Sequence, residues 1–273
     1  MTTLVGRPDP SPDVMKTVPM SQLPTALWLN VSPALQGFDR PLLNVLSQHS
    51  SISLWQYCQT PDEAMSLEMA LVLLHDYLKH HDAPVHLLGH STGGLLGLLY
   101  ARRYPERVRS LTLFSVGVHP AVDWQAHYYA QLQHLPCPRE ILLTQMVYNL
   151  FGYKSRPIAR QLARTLERDL SSSLSPHTLY RRASYPPGGV PVPLLVCGSL
   201  DDVIVDPNLL QGWQPWFKAG DCLWQYSHGS YFFHYFHPQA AGRQIVNFWE
   251  GLQGLPTIRL PKQNNCARLW EIG

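Results

Sequence analysis

The chain has 273 residues, 45% of them hydrophobic and 15% charged, which is enough apolar material for one large core. Its formal charge is +2 and its 21 Lys and Arg read as scattered, which indicates neither a nucleic-acid module nor a polyanion-binding face. The five cysteines (Cys58, Cys137, Cys197, Cys222 and Cys266) are an odd set without paired spacing, and Cys58 and Cys197, in apolar runs, read as reduced core residues.

The opening, MTTLVGRPDPSPDVMK, lacks the basic start and apolar run of a signal peptide. No apolar stretch approaches the ~20 residues of a membrane span. The expectation is a soluble, cytoplasmic protein. Residues 1–24 are rich in Pro, Ser and Thr and show no period. Ala26 to Val31 reads as the first strand, Phe38 to His49 as a helix, and Ser51 to Cys58 as the next strand. Thr60-Pro61-Asp62-Glu63 has the form of a helix start, with a capping hydroxyl and a first-turn proline. Apolar spacing then carries that helix through Met65, Leu67, Met69, Leu71 and Leu74 to about His81.

Pro84 to Tyr100, PVHLLGHSTGGLLGLLY, is the stretch around which the rest is organised. A short buried strand turns within four residues into an apolar helix, and only glycine leaves room on both flanks of so tight a bend. Ser91 stands at the apex, strained and free of both elements. The N–H of Thr92, at the helix start, points the same way and suits a developing oxyanion. Val108 to Val116 reads as the following strand. Strands alternating with helices predict a mostly parallel sheet covered on both faces.

Between Val118 and Gly189 the rhythm changes to three or four helix-like runs: AVDWQAHYYAQLQHL, REILLTQMVYNLFGY, PIARQLARTLERDL and SPHTLYRRASY. Their aromatic residues, Trp124, Tyr128, Tyr129, Tyr148, Phe151 and Tyr153, read either as a pocket lining or as core. Sheet rhythm resumes from Val190 to Gly198. A helix over Pro207–Phe217, a strand over Cys222–Tyr226 and a last helix over Pro238–Leu252 are predicted, followed by a tail of unread role.

Gly89-His90-Ser91-Thr92-Gly93 is a G-x-S-x-G elbow in the order strand, turn, helix, and here the chain resembles the α/β-hydrolase superfamily. The resemblance implies an α/β-hydrolase fold with a core split into residues 1–117 and 190–273 around a helical cap at 118–189. It also implies Ser91 as nucleophile. Gly198-Ser199-Leu200-Asp201-Asp202-Val203 resembles the family's acid segment, giving Asp201 that role with Asp202 as its alternative. The base segment departs from the family. Aligned on Pro238, Tyr231 stands where the family has histidine, and a phenol is a poor base near neutral pH. His228, His234 and His237 lie close by. His234, three residues past Tyr231, is taken as the base on the expectation that a helical turn puts both on one face.

The oxyanion donors are expected from Thr92 and from Ser32, with Val31 as its alternative, in Asn30-Val31-Ser32-Pro33 where the family has His-Gly; Pro33 has no N–H to give. His90 and Tyr231 are expected against the substrate. No cofactor is implied, and the histidine cluster lacks the carboxylate or thiolate partners of a metal site. Two functions follow from this reading. One is hydrolysis of an ester or thioester with an apolar part through Ser91, His234 and Asp201. The other is a non-catalytic binding or partner-interaction protein with a degenerate triad. Neither calls for nucleic acid or a membrane span, and a protein partner stays open.

Overall fold

A computed structural model describes residues 24–58 and 66–253. Six parallel strands form one sheet: β1 (Ala26–Asn30), β2 (Ile52–Gln56), β3 (Val85–His90), β4 (Val108–Phe114), β5 (Leu194–Ser199) and β6 (Cys222–Tyr226). Their spatial order is β2-β1-β3-β4-β5-β6, so the chain starts beside the centre, runs to one edge and returns to fill the other. The four inner strands are largely buried on both faces because helices cover both. Edge strands β2 and β6 are only half-buried.

Alternation along β1 divides the core. Leu27 and Leu29 join the larger cluster with α2 (Leu67–Leu78) and α3 (Thr92–Arg103). Trp28 points the other way, into a cluster with Leu88, Phe114, Cys197 and residues of α1 (Arg40–Leu46) and α9 (Pro238–Gln253). The fold is the expected one: a mostly parallel sheet between helical layers.

The elements match the sequence with local differences. The helix predicted over 38–49 is shortened to α1, and a 3-10 turn, Pro33–Phe38, precedes it. Helix α2 begins at Leu67, capped by Ser66, whose hydroxyl accepts the Met69 N–H at 3.2 Å. The start expected at Thr60 and Pro61 lies outside the described residues. Helix α7 (Pro207–Gln211) stops well short of Phe217, with a 3-10 turn over Gln214–Trp216, because Pro215 has no N–H to extend it. Cys197 is buried and reduced, but Cys58 is exposed just past β2, where the strand has already ended.

Three helices lie between β4 and β5: α4 (Trp124–His134), α5 (Arg139–Phe151) and α6 (Arg156–Ser172). The fourth run, SPHTLYRRASY, is not helical. Ser175 Oγ accepts the His177 N–H and Thr178 Oγ1 accepts the Arg181 N–H, so short hydroxyl side chains close local turns there instead. Trp124, Tyr128 and Phe151 are core, whereas Tyr153 is 87% exposed. The segment is tied to the sheet by the Leu174 N–H, which donates to the Val31 carbonyl at 3.0 Å. Gln125 secures α4 to α6 by donating to Asp169 at 3.2 Å and to Ser173 at 2.8 Å.

Candidate active site

Ser91 sits between β3 and α3 at φ 54°, ψ −127°, in backbone space that a residue with a side chain seldom occupies. Its neighbours explain how the strain is held. A Cβ on Gly89 would lie 2.5 Å from the Gly93 carbonyl carbon, and one on Gly93 would lie 2.3 Å from the Leu29 carbonyl oxygen. Only glycine lets strand and helix close this tightly. The Ser91 N–H donates to the Phe114 carbonyl at 3.0 Å, fixing the apex to β4. Thr92 starts the helix, where its N–H has no carbonyl four residues back to bond. Its hydroxyl donates to Asp123 Oδ2 at 2.9 Å, and Asp123 caps α4 by accepting the Ala126 N–H at 2.9 Å.

Around Ser91 lies a cavity of about 20 Å³, bordered among others by Asn30, Ser32, Asp39, His90, Trp124 and Tyr231. That is room for about one water. Tyr231, which the count back from Pro238 sets at the family's histidine position, borders the Ser91 cavity and is fully buried. Its hydroxyl lies beside Ser91 and the Trp124 backbone without a well-formed hydrogen bond to either. Burial, reinforced by the charges of Asp123 and Asp202, pushes the phenol well above its ordinary range, so it keeps its proton. The Tyr231 carbonyl is held at 2.9 Å from His90 Nε2 and accepts the Ser115 hydroxyl at 3.0 Å. His90 thus borders the cavity. Burial, aided by neighbouring His234, holds its imidazole well below the usual range and therefore neutral.

Asp201 stands past the end of β5, but its carboxylate is engaged by the loop after β6. Oδ1 accepts from Ser199 Oγ at 2.6 Å and from the Ser230 N–H at 2.8 Å, and Oδ2 accepts from the Gly229 N–H at 3.2 Å. These bonds lower its pKa against the opposing effect of burial. Gly229 at φ 119° and Ser230 at φ 52° make the turn that presents both amides. The alternative acid, Asp202, is buried and accepts the Ile204 and Val205 N–H groups at 2.8 and 3.1 Å; burial pushes it up to about 7.

His234 is not placed as expected. Ser230–Phe232 is a 3-10 turn, followed by the single-turn helix α8 (Phe233–Phe236), so the three-residue spacing does not put Tyr231 and His234 on one α-helical face. The His234 ring is fully buried and its Nε2 lies 3.1 Å from Asp39 Oδ1. Its Nδ1 has no hydrogen-bond partner. Among the described residues no hydrogen bond joins His234 to Ser91 or to Asp201. Ser32 is a second correction: its N–H is given to Asn30 Oδ1 at 3.0 Å and is therefore not free to hold an oxyanion. Asn30 in turn donates to Asp39 Oδ2 at 3.2 Å, as Trp28 Nε1 does at 3.0 Å.

Sequence reasoning passed over Asp39 and Asp123. Asp123 had a local signal, an acidic cap ahead of a helix. Asp39 had none, since its partners come from β1 and from a residue 195 positions away. Among the described residues no three His, Cys, Asp or Glu gather as metal ligands.

A model of the "alpha/beta hydrolase fold" family matches residues 25–136. An uncharacterized protein of Synechocystis sp. is 49% identical over 228 residues, 84% of this chain and 91% of its own length. An uncharacterized protein of Nostoc sp. is 43% identical over 82% of this chain and 90% of its own. Among solved structures, a serine hydrolase from a Cycloclasticus that degrades polyaromatic hydrocarbons superposes with a TM-score of 0.65 at 15% identity, over 85% of this chain and 92% of that one. A meta-cleavage product hydrolase from Pseudomonas fluorescens gives 0.63 at 13% identity, over 83% and 90%. The chain has the α/β-hydrolase fold, with residues 25–136 matching that family's model. It falls in one family with the Synechocystis and Nostoc proteins.

Proposed function

We propose that this chain keeps the hydrolase framework for binding and does not turn substrate over through a Ser-His-Asp relay. The observation that carries this reading is Tyr231, buried, protonated and beside Ser91 where a histidine base would stand. Serine attack on a carbonyl needs a group that takes the hydroxyl proton, and a phenol held above its ordinary pKa does not. The engagement of Asp201 by Gly229 and Ser230, and of His234 by Asp39, supports the same reading. So does a cavity with room for about one water.

A second reading is favoured by the strained Ser91 elbow, which has little structural return on its own. In it the chain is a serine hydrolase for an ester or thioester with an apolar part. Ser91 attacks, a histidine of the 228–237 segment takes the proton, Asp201 orients that histidine, and the Thr92 N–H holds the oxyanion. Helices α4–α6 act as a cap that parts to admit the substrate.

Fluorophosphonate labelling near neutral pH decides between them. The binding reading expects no more labelling of the folded wild type than of Ser91→Ala. Rapid labelling that Ser91→Ala abolishes would overturn it, and loss of that labelling in His228→Ala, His234→Ala or His237→Ala would name the base.

A further inference from the structure

Arginine recurs at every fourth position along α6, at Arg156, Arg160, Arg164 and Arg168. That spacing sets them in a row on one helix face. All four are exposed, while Ala159, Ala163 and Leu166 carry the buried face. Twelve residues at ~1.5 Å each make the row roughly 18 Å long. Arg139 of α5 extends it, 3.8 Å from Glu167. The open groove between the two helices, about 440 Å³, is walled by Arg139, Arg160 and Arg164 with Glu140 and Glu167. Arg156, Arg160 and Arg164 take part in no ion pair among the described residues.

The near-neutral total conceals this arrangement. Residues 118–189 hold eight Lys and Arg against four Asp and Glu, net +4, and two of those four acids, Asp123 and Asp169, are buried. The rest of the chain holds thirteen against fifteen, net −2. Basic residues that read as scattered along the sequence are therefore gathered by the fold. An ordinary solvated helix face alternates signs at this spacing, because like charges four residues apart repel and destabilise the helix. Here the repulsion is built in three times over, and an external anion would relieve it.

We propose that the α5–α6 face docks on the anionic surface of a lipid bilayer. The arginines lie against headgroup phosphates, bidentate where the geometry permits. Helix α6 carries no aromatic side chain on which bases could stack, so a headgroup surface suits the arginine row better than single-stranded nucleic acid. This goes beyond the reading of the Ser91 site and does not depend on it.

The test is co-sedimentation of the full chain with phosphatidylcholine vesicles, with and without phosphatidylglycerol. Binding is expected only with phosphatidylglycerol, and it should weaken at high salt. Each arginine at an anionic leaflet is worth about fivefold in partition. Arg160→Glu/Arg164→Glu should thus lower binding at least ~20-fold. Arg243→Glu, an exposed site on α9, should change it less than ~2-fold. Should circular dichroism show the double reversal unfolded, Arg160→Gln/Arg164→Gln is read instead, with a loss of at least ~10-fold expected. Equal binding to both vesicles, none to either, or indifference to the arginine variants would overturn the proposal. Retention on duplex DNA with no vesicle binding would overturn it in favour of a different partner.

Discussion

The turn from β3 into α3 and the segment between β6 and α9 face each other across Ser91 and have been treated oppositely. At the first, every device of a nucleophile elbow is in place: Gly89 and Gly93 pressed against backbone, Ser91 strained, Thr92 at the helix start. At the second, Tyr231, Phe232, Phe233 and His234 are buried to within 1% of complete, and the segment has become core. The difference is instructive because the two jobs rest on different parts of the chain. A nucleophile is aimed by backbone, which few substitutions can change without unfolding the sheet. A base is aimed by one side chain on a loop, and a single replacement removes it while the fold survives.

The largest expected effect comes from breaking the packed side of that contrast. Asp39 accepts from Trp28 and Asn30 and is bonded to His234, so Asp39→Ala strands three buried polar groups. Removing one partner of such a buried cluster costs about 3–5 kcal/mol, to be read from urea unfolding. Breaking the elbow comes next. Gly93→Ala places a Cβ 2.3 Å from the Leu29 carbonyl oxygen, which only a shift of α3 relieves. A loss of about 3 kcal/mol is expected in the same measurement.

The third prediction sharpens the contrast through pH. Burial pushes Asp202 and Asp169 up to about 7 from 3.8, so each holds its proton more tightly folded than unfolded. Above about pH 4 the unfolded chain ionises first, and the stability from these two groups falls until the folded carboxyls ionise near 7. His86, lowered to about 3 by burial, acts the other way, and its contribution is lost as pH falls below about 6.5. Asp202→Asn should therefore raise the melting temperature by several degrees near about pH 8 and change it little near about pH 4. A shift of equal size at both would sink the assignment to ionisation. The smallest effect is reserved for Tyr231→Phe. The hydroxyl lacks a well-formed hydrogen bond, so its removal should alter stability by less than about 1 kcal/mol and leave fluorophosphonate labelling unchanged. A marked loss of stability would mean that the phenol is anchored after all.

The fold was legible because its signals are local. Alternating strands and helices, the Gly-Ser-Gly spacing of 89–93 and the apolar run after it needed no distant partner. Tyr231's place was legible for a related reason, since Pro238 and the helix behind it give a fixed count back to the loop. His234 was misplaced because a 3-10 turn and an α-turn look alike in sequence yet aim residue i+3 differently. Ser32 was misjudged because what occupies its N–H is a neighbouring side chain, Asn30, whose orientation is set by Asp39. The arginine row was overlooked for a simpler reason: counting charges along the chain hides what a period of four does on a helix.

The link between Asp39 and His234 spans 195 residues, and the two holds on the Tyr231 carbonyl span 141 and 116. Closing loops of that length is slow relative to pairing neighbouring strands, and its entropy must be met before these bonds give anything back. These links beside the Ser91 cavity are therefore expected to form late during folding and to come loose early. Asp39→Ala should speed unfolding nearly in full proportion to its loss of stability and leave the refolding rate almost unchanged, a pattern stopped-flow kinetics would read directly. Should refolding slow instead, the segments around Asp39 and His234 meet early, and the cavity forms with the nucleus of the fold.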